Sequence, residues 1–314
     1  MRNVIYKKAA LGAALLLKAI AQPRLIAFAL RVRGWRWILH VFMQSDAETI
    51  KSIFHDLQFH SLPPTAHNLS AHFSGIQAII GHDQHLFEVI MASGERFLIR
   101  RSHAWSDLGV VHGTMVGNIY ADHPAVEGQS VLDVGANIGD TAIYFAKRGA
   151  HVVAYEPDPE LFELALRNVA LNDATVDLRN AGVGGETGTL PLSTTRTGAD
   201  AMSTTLFPGA KAVHRLHVRT IPVRIVALAD VLAELESVCL LKIDCEGCEY
   251  PALLSLSVAD LRKIEHIIME YHGRRDELAD VLRQAGFSVR LKGTMYMYAD
   301  RVDGPEGTPA AYRD

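Results

Sequence analysis

Cysteine is scarce in this chain: of 314 residues only Cys239, Cys245 and Cys248 carry a thiol, all within ten positions. An odd number packed so closely cannot staple distant loops, which excludes a disulfide framework and suits a reducing compartment. Acid is missing from the first 45 residues, which hold Arg2, Lys7, Lys8, Lys18, Arg24, Arg31, Arg33 and Arg36. Basic charge is correspondingly short elsewhere, where 23 Lys and Arg face 35 Asp and Glu, a net charge of -12. Nucleic acid is therefore excluded as a partner, because phosphate binding needs a positive face. Long uncharged apolar runs are missing too. Lys18 ends the first after nine residues, and Arg31, Arg33 and Arg36 interrupt the next, which excludes a comfortable transmembrane helix. There is no internal repeat.

What is present is a globular composition, 49% apolar and 21% charged, in a chain long enough for one substantial core and an appendage. Residues 1–44 form a basic, apolar arm. Its opening, "MRNVIYKK" then "AALGAALLL" then "KAIAQ", has the order of a secretory signal, but Lys18 argues against export. The Arg-Trp mixture "RVRGWRWILHVF" is interfacial in character. Two readings stay open: residues 1–43 make peripheral contact with the inner membrane surface of a cytoplasmic protein, or they pack on the body. Residues 45–124 read as a helical and hairpin lead-in. Ser45 caps the helix "DAETIKSIFHDL", "SLPPTAHNLS" breaks it, and "HLFEVIMA" and "RFLIRR" flank Ser93-Gly94 as a hairpin. Ten of the fifteen histidines lie between His40 and His123. They are scattered, His82 and His85 flank a loop, and no metal site is expected.

From Ser130 the pattern changes to α/β. "VLDVGANIGDTAIYFAKRGAHVVAYEPDPELFELALRNVALN" alternates strand, glycine turn, amphipathic helix, strand and helix, a βαβα unit. The turn holds Asp133, Gly135, Asn137 and Gly139 as D-x-G-x-N-x-G. A dinucleotide site wants G-x-G-x-x-G, so no diphosphate is implied. Asp133 instead suits a cationic amino group, met directly or through water, as in the methionine part of S-adenosylmethionine. Glu156, closing the second strand, is placed for both ribose hydroxyls. Asn180 and Ala181, in the loop after the third strand, are expected to border the adenine. The polar stretch "STTRTGADAMSTTLFPGAKAVHR" is expected to be a substrate loop, and residues 301–314 a loose tail.

"VLDVGANIGDTAIYFA", "YEPDPELFELALRNV", "LLKIDCEGCEY" and "IIMEYH", in this order, resemble the FkbM-type family of class I S-adenosylmethionine-dependent methyltransferases. The resemblance spans residues 129–298. It implies a doubly wound, mostly parallel seven-stranded sheet, Rossmann-like, with its last strand antiparallel and the cofactor at the carboxyl ends of the first strands, in a domain over 125–300. It also implies S-adenosylmethionine as cofactor and a small-molecule or glycan acceptor, with a hydroxyl of a secondary metabolite, sugar or lipid-linked glycan preferred.

In that family the loop after the fourth strand runs D-x-E-G-x-E, matched here by Asp244, Glu246, Gly247 and Glu249, with Cys245 and Cys248 on variable positions. The cysteines thus read as passengers, and the acids around them disfavour a reactive thiolate. A dithiol oxidoreductase and a non-catalytic cofactor-binding module stay open as alternatives. Methyl transfer to an alcohol asks for alignment and removal of one proton. Asp244, also a cofactor residue, and His272 are the candidate bases. Glu246 and Glu249 read as caps of the next helix, and a cation held by Asp244, Glu246 and Glu270 is the weaker alternative.

Overall fold

A computed structural model describes residues 64–117, 119–120, 122–195, 218–272, 275–292 and 295–302. The expected arm, the lead-in's helix near Ser45, most of the polar insertion and the tail beyond residue 302 lie outside these residues, and Arg301, expected in the tail, belongs to a strand. The chain divides into two units, Met1–His72 and Phe73–Asp314. In the first, the described element is the short helix α1 (Ala66–His72). All that follows concerns the second.

The second unit opens with an antiparallel meander of β1 (Ile76–Gly81), β2 (Leu86–Met91) and β3 (Arg96–Arg100). The expected hairpin is its β2–β3 half, turning at Gly94 with φ of 105°. β1 was not expected; its segment IQAIIG shows no period-two alternation, and its burial shows none either. A single 3-10 turn leads into α2 (Ala104–Met115). The two elements are tied by a buried ion pair, in which Arg100 Nη2 donates to Asp107 Oδ1 at 2.6 Å and Arg100 Nε to Oδ2 at 2.9 Å.

The central sheet contains β4 (Ser130–Val134), β5 (His151–Tyr155), β6 (Val176–Arg179), β10 (Val238–Ile243), β11 (Ile264–Glu270), β12 (Phe287–Lys292) and β13 (Tyr296–Arg301). Its order is β12-β13-β11-β10-β4-β5-β6, with β13 antiparallel to both neighbours and the other pairings parallel. This is the doubly wound, mostly parallel seven-stranded sheet expected. Helices α3 (Asp140–Ala146), α4 (Pro159–Leu171), α5 (Leu228–Ala233), α6 (Glu249–Leu254), α7 (Val258–Leu261) and α8 (Arg275–Gln284) connect its strands. Because strand side chains alternate faces, Leu132 and Val134 enter one core while Val131 enters the other, and β10 divides likewise. Covered on both sides, β10 is buried at every position and reads as an apolar run. Its Lys242 is the exception.

Between β6 and β10 lies a small sheet the sequence reading missed, ordered β7 (Gly182–Gly184), β9 (Val218–Ala227) and β8 (Gly188–Thr195). Pro191 pairs with Pro222 across it, and prolines in both runs suppress a strand reading. The front of the expected polar insertion is thus the end of β8. The lead-in is not a separate body after residue 72. Asn168 and Asn172 of α4 act as surrogate strand partners for β3: Leu98 N donates to Asn168 Oδ1 at 2.7 Å and Arg96 N to Asn172 Oδ1 at 2.9 Å. Each asparagine returns a hydrogen bond to the same residue's carbonyl. No helix among the described residues is long and apolar enough to cross a membrane.

Candidate active site

A cavity of about 450 Å³ opens at the carboxyl ends of β4, β5 and β10, where doubly wound sheets bind ligands. Its floor is the turn between β4 and α3. Gly135 has a φ of 85°, and a Cβ built there would fall 1.9 Å from the carbonyl oxygen of Asp244. The turn therefore needs glycine for both conformation and space. Asn137, with a φ of 51°, donates its amide to Glu156 Oε2 at 2.8 Å. The other oxygen of Glu156 accepts from the Asp158 amide, also at 2.8 Å. Asp158 in turn caps α4, accepting from the Glu160 amide. Burial pushes the Glu156 carboxyl up to about 8 against those two amide contacts.

Four expected cofactor residues sit elsewhere. Asp133 is wholly buried beneath the turn and turned to the protein: Lys242 Nζ lies 2.9 Å from its Oδ1, and Thr141 Oγ1 donates to its Oδ2 at 2.6 Å. A protein cation thus already stands beside the carboxylate expected to meet a ligand amino group. Lys242 Nζ also donates to the carbonyl of Gly135 at 2.7 Å, so the pair holds the turn from below. Burial opposes the charge of Lys242, yet Asp133 and Asp244 outweigh it and hold its pKa above the ordinary value. Gly139, at φ of 88°, starts α3 and packs on Ala165 instead of lining the cavity. Asn180 donates its side-chain amide to the carbonyl of Glu156 at 2.9 Å, and Ala181 is in the core. The wall there is made by the next two residues, Gly182 and Val183.

Gly135, Asn137, Glu156, Asp244 and His272 do line the cavity. His272 is not placed as a base. Its Nδ1 lies 2.9 Å from Glu249 Oε1, its Nε2 3.2 Å from Glu246 Oε2 and 3.7 Å from Glu270 Oε1. Burial works against its charge, but the bond to Glu249 and the fields of Glu246, Glu249 and Glu270 win and push its pKa up to about 9. At neutral pH it is an imidazolium with no site for a further proton. Glu249 does not cap α6 either; fully buried, it accepts from the Gly247 amide at 2.8 Å and from the His272 amide at 2.8 Å. Glu246 stands on the wall at φ of 55°. Burial raises its carboxyl, His272 draws it back, and nearby Asp244 raises it again, to about 7.

The cysteines overturn the passenger reading: Cys245 and Cys248 are joined as a disulfide, their Cα atoms 5.5 Å apart, and both line the cavity. Cys239 is the free thiol, buried in β10 and raised by that burial to about 11.

Sequence reasoning also missed the opposite wall. Gly109, Val110 and Thr114 of α2, with Ile119 and Tyr120, face the cavity from the lead-in. Thr114 Oγ1 donates to Asp140, whose buried carboxyl is raised by desolvation to about 6. Leu192 of β8 and Tyr296 of β13 also line the cavity. Lys242 had a signal, a lone cation inside an otherwise apolar strand; the α2 residues had none.

No group of His, Cys, Asp and Glu among the described residues has the geometry of a metal site.

A family model described as the methyltransferase FkbM domain matches residues 133–289, half of the chain. The methyltransferase sdnD of Sordaria araneosa is 29% identical over 192 residues, spanning 51% of this chain and 73% of that protein. Methyltransferase 1 of Beauveria bassiana is 25% identical over 199 residues, 56% of this chain and 79% of that one. Among solved structures, magnesium protoporphyrin IX methyltransferase of Synechocystis PCC 6803 with bound SAM is 14% identical, with a TM-score of 0.37 over 64% of this chain and 83% of that one.

Proposed function

This chain belongs to the FkbM methyltransferase family, and from that premise we propose that it is an S-adenosylmethionine-dependent O-methyltransferase. Its acceptor in this reading is a hydroxyl of a secondary metabolite, sugar or lipid-linked glycan. The observation that carries the reading is one cavity with a glycine turn and Glu156 at one end and a carboxylate group at the other. The residues fit the cofactor. Asn137 Oδ1 is buried and lacks a hydrogen-bond partner among the described residues, and the Gly135 turn leaves its backbone open where a Cβ could not stand.

When bound, the cofactor supplies a methyl group already made electrophilic by its sulfonium. The chain's own residues do the rest. Glu156, fixed by two amides, accepts from the ribose hydroxyls. Lys242 and Asp133 hold the turn that shapes the floor. Asp244 and Glu246 face the acceptor end, and Glu246, near pKa 7, is matched to taking the hydroxyl proton at neutral pH. His272, as imidazolium, orients Glu246 and favours its carboxylate form against the pull of burial.

Calorimetric titration with S-adenosylmethionine, then incubation with methyl-labelled cofactor and cell extract, tests the proposal. Binding with transfer of label to a product whose methyl resists mild base as an ether supports it. Absence of cofactor binding removes it, and label on nitrogen removes the oxygen assignment. The dithiol alternative draws on the disulfide, but Asp244, Glu246 and Glu249 around that pair work against the thiolate such chemistry needs. We also place the protein at the inner membrane surface through residues 1–43, where each basic residue near anionic lipid contributes about 1 kcal/mol. Salt-sensitive flotation with anionic vesicles checks that; sedimentation with the soluble fraction at low salt rules it out.

A further inference from the structure

The Cys245–Cys248 bond closes a loop whose two inner residues both have positive φ, Glu246 at 55° and Gly247 at 114°. Positive φ is costly for a side chain such as glutamate and persists where surroundings impose it. Three constraints do so here. Cys248 is fully buried in the main core and anchors one end. Glu249 takes the Gly247 amide in the middle. The disulfide draws the other end onto the first. The loop also touches the cofactor turn, because the Asp244 carbonyl and Cys245 Cα are the atoms that a Cβ on Gly135 would meet. The crosslink thus borders the glycine turn, Asp244 and Glu246 together. Its sulfurs differ in access: Cys245 is half-buried and Cys248 is enclosed, and both border the cavity.

We propose that the Cys245–Cys248 disulfide is a reducible clamp on the cavity: closed, it holds Asp244 and Glu246 in their working arrangement; reduced, it slackens the loop and lowers methyl transfer. The proposal rests on the methyltransferase reading above. A dithiol reductant, entering as its thiolate, attacks Cys245 Sγ. The S–S bond breaks and its electron pair leaves on Cys248 Sγ, which takes up a proton. The reductant's second thiol, losing its proton, then attacks its own sulfur in the mixed disulfide and releases Cys245 as a thiol. The reductant departs as a cyclic disulfide, so two electrons and two protons have passed to the cysteine pair. Closure is the reverse exchange with a small disulfide. In a reducing compartment a crosslink of this kind is transient and sensing, not structural.

The test uses the full chain in three forms: oxidised, reduced with dithiothreitol, and Cys245→Ser/Cys248→Ser. Intact mass after alkylation counts free thiols. Oxidised protein should gain no alkyl group at this pair and reduced protein two. Turnover of labelled S-adenosylmethionine should fall about tenfold on reduction, the order set by one relaxed backbone strain, and recover on reoxidation. The double variant should turn over as the reduced protein does and ignore the reductant. Equal turnover in oxidised and reduced protein, or alkylation of both cysteines before reduction, overturns the proposal. Hydrogen exchange across residues 240–254 and at His272 supplies a readout independent of catalysis. Faster exchange on reduction supports the clamp even if the chain fails to bind S-adenosylmethionine, which would sink the methyltransferase reading alone. Unchanged exchange sinks the clamp alone.

Discussion

Replacing Lys242 with methionine should destabilise the protein by about 3–5 kcal/mol, the cost of breaking a buried pair from one side. The lysine side chain is 3% exposed and Asp133 0%, so neither charge has water to fall back on. Methionine fills much of the same volume, which keeps the cavity term small and leaves the charge term exposed. Two contacts go at once, the 2.9 Å pair with Asp133 and the 2.7 Å bond to the Gly135 carbonyl. Against a total stability on the order of 5–15 kcal/mol, the loss is large. At roughly 2–4 °C per kcal/mol for a unit of this size, the thermal midpoint should drop by about 6–20 °C. The discriminating partner is Asp133→Asn/Lys242→Met. It removes the stranded charge and keeps an acceptor for Thr141, so it should recover more than half of the loss. Urea titration of wild type, both single variants and the double variant closes the cycle. A single Lys242→Met loss under about 1 kcal/mol, or a double variant no more stable than that single one, refutes the account of the floor as an ion pair beneath the turn.

Three further outcomes follow from the site. Glu156→Gln should weaken S-adenosylmethionine binding by about 0.5–1.5 kcal/mol by replacing one acceptor oxygen with an amide nitrogen, read by calorimetry; unchanged affinity would separate Glu156 from the ribose. Gly135→Ala should abolish measurable cofactor binding, since its Cβ would need the space of the Asp244 carbonyl 1.9 Å away; a folded Gly135→Ala protein with wild-type affinity contradicts the packing of that turn. The third concerns pH. The imidazole of His272 rises from 6.5 to about 9 on folding, so the stability it lends is complete below pH 6.5 and drains as pH climbs through 9. Glu156 and Glu246, raised to about 8 and about 7, lose stability in the same direction, starting near 4.5. Urea midpoints should therefore fall from pH 6 to pH 9, and His272→Gln should flatten the upper part of that fall. Parallel curves for the two proteins would count against the imidazolium.

Much of the sheet was legible because it is local. Asp133 to Leu171 holds strand, turn, helix, strand and helix in unbroken order, and each reports itself by period or by glycine. The five site residues that line the cavity come from strand ends or the turns after them, where chain order predicts position. What failed depends on partners far away in the chain. Asp133 looked available to a ligand because nothing nearby suggests that Lys242, 109 positions on, would claim it. His272 looked like a base because two of the three carboxylates that charge it, Glu246 and Glu249, follow a different strand. β8 and β9 stabilise each other across a stretch of polar sequence and carry prolines, so neither reads as a strand alone. The cysteines were discounted because a motif pattern says nothing of how close its variable positions stand.

The wall that α2 lends to the cavity separates inheritance from chemistry. The turn, the carboxylates and the clamp all fall within residues 133–289, whereas Gly109, Val110, Thr114, Ile119 and Tyr120 precede that stretch. Residues on both sides of position 125 therefore meet on one cavity, with Thr114 on Asp140 as the mortar between them. A chimera spliced at residue 125 would take the two walls of the cavity from different parents; spliced before Phe73, it would take both from the same parent.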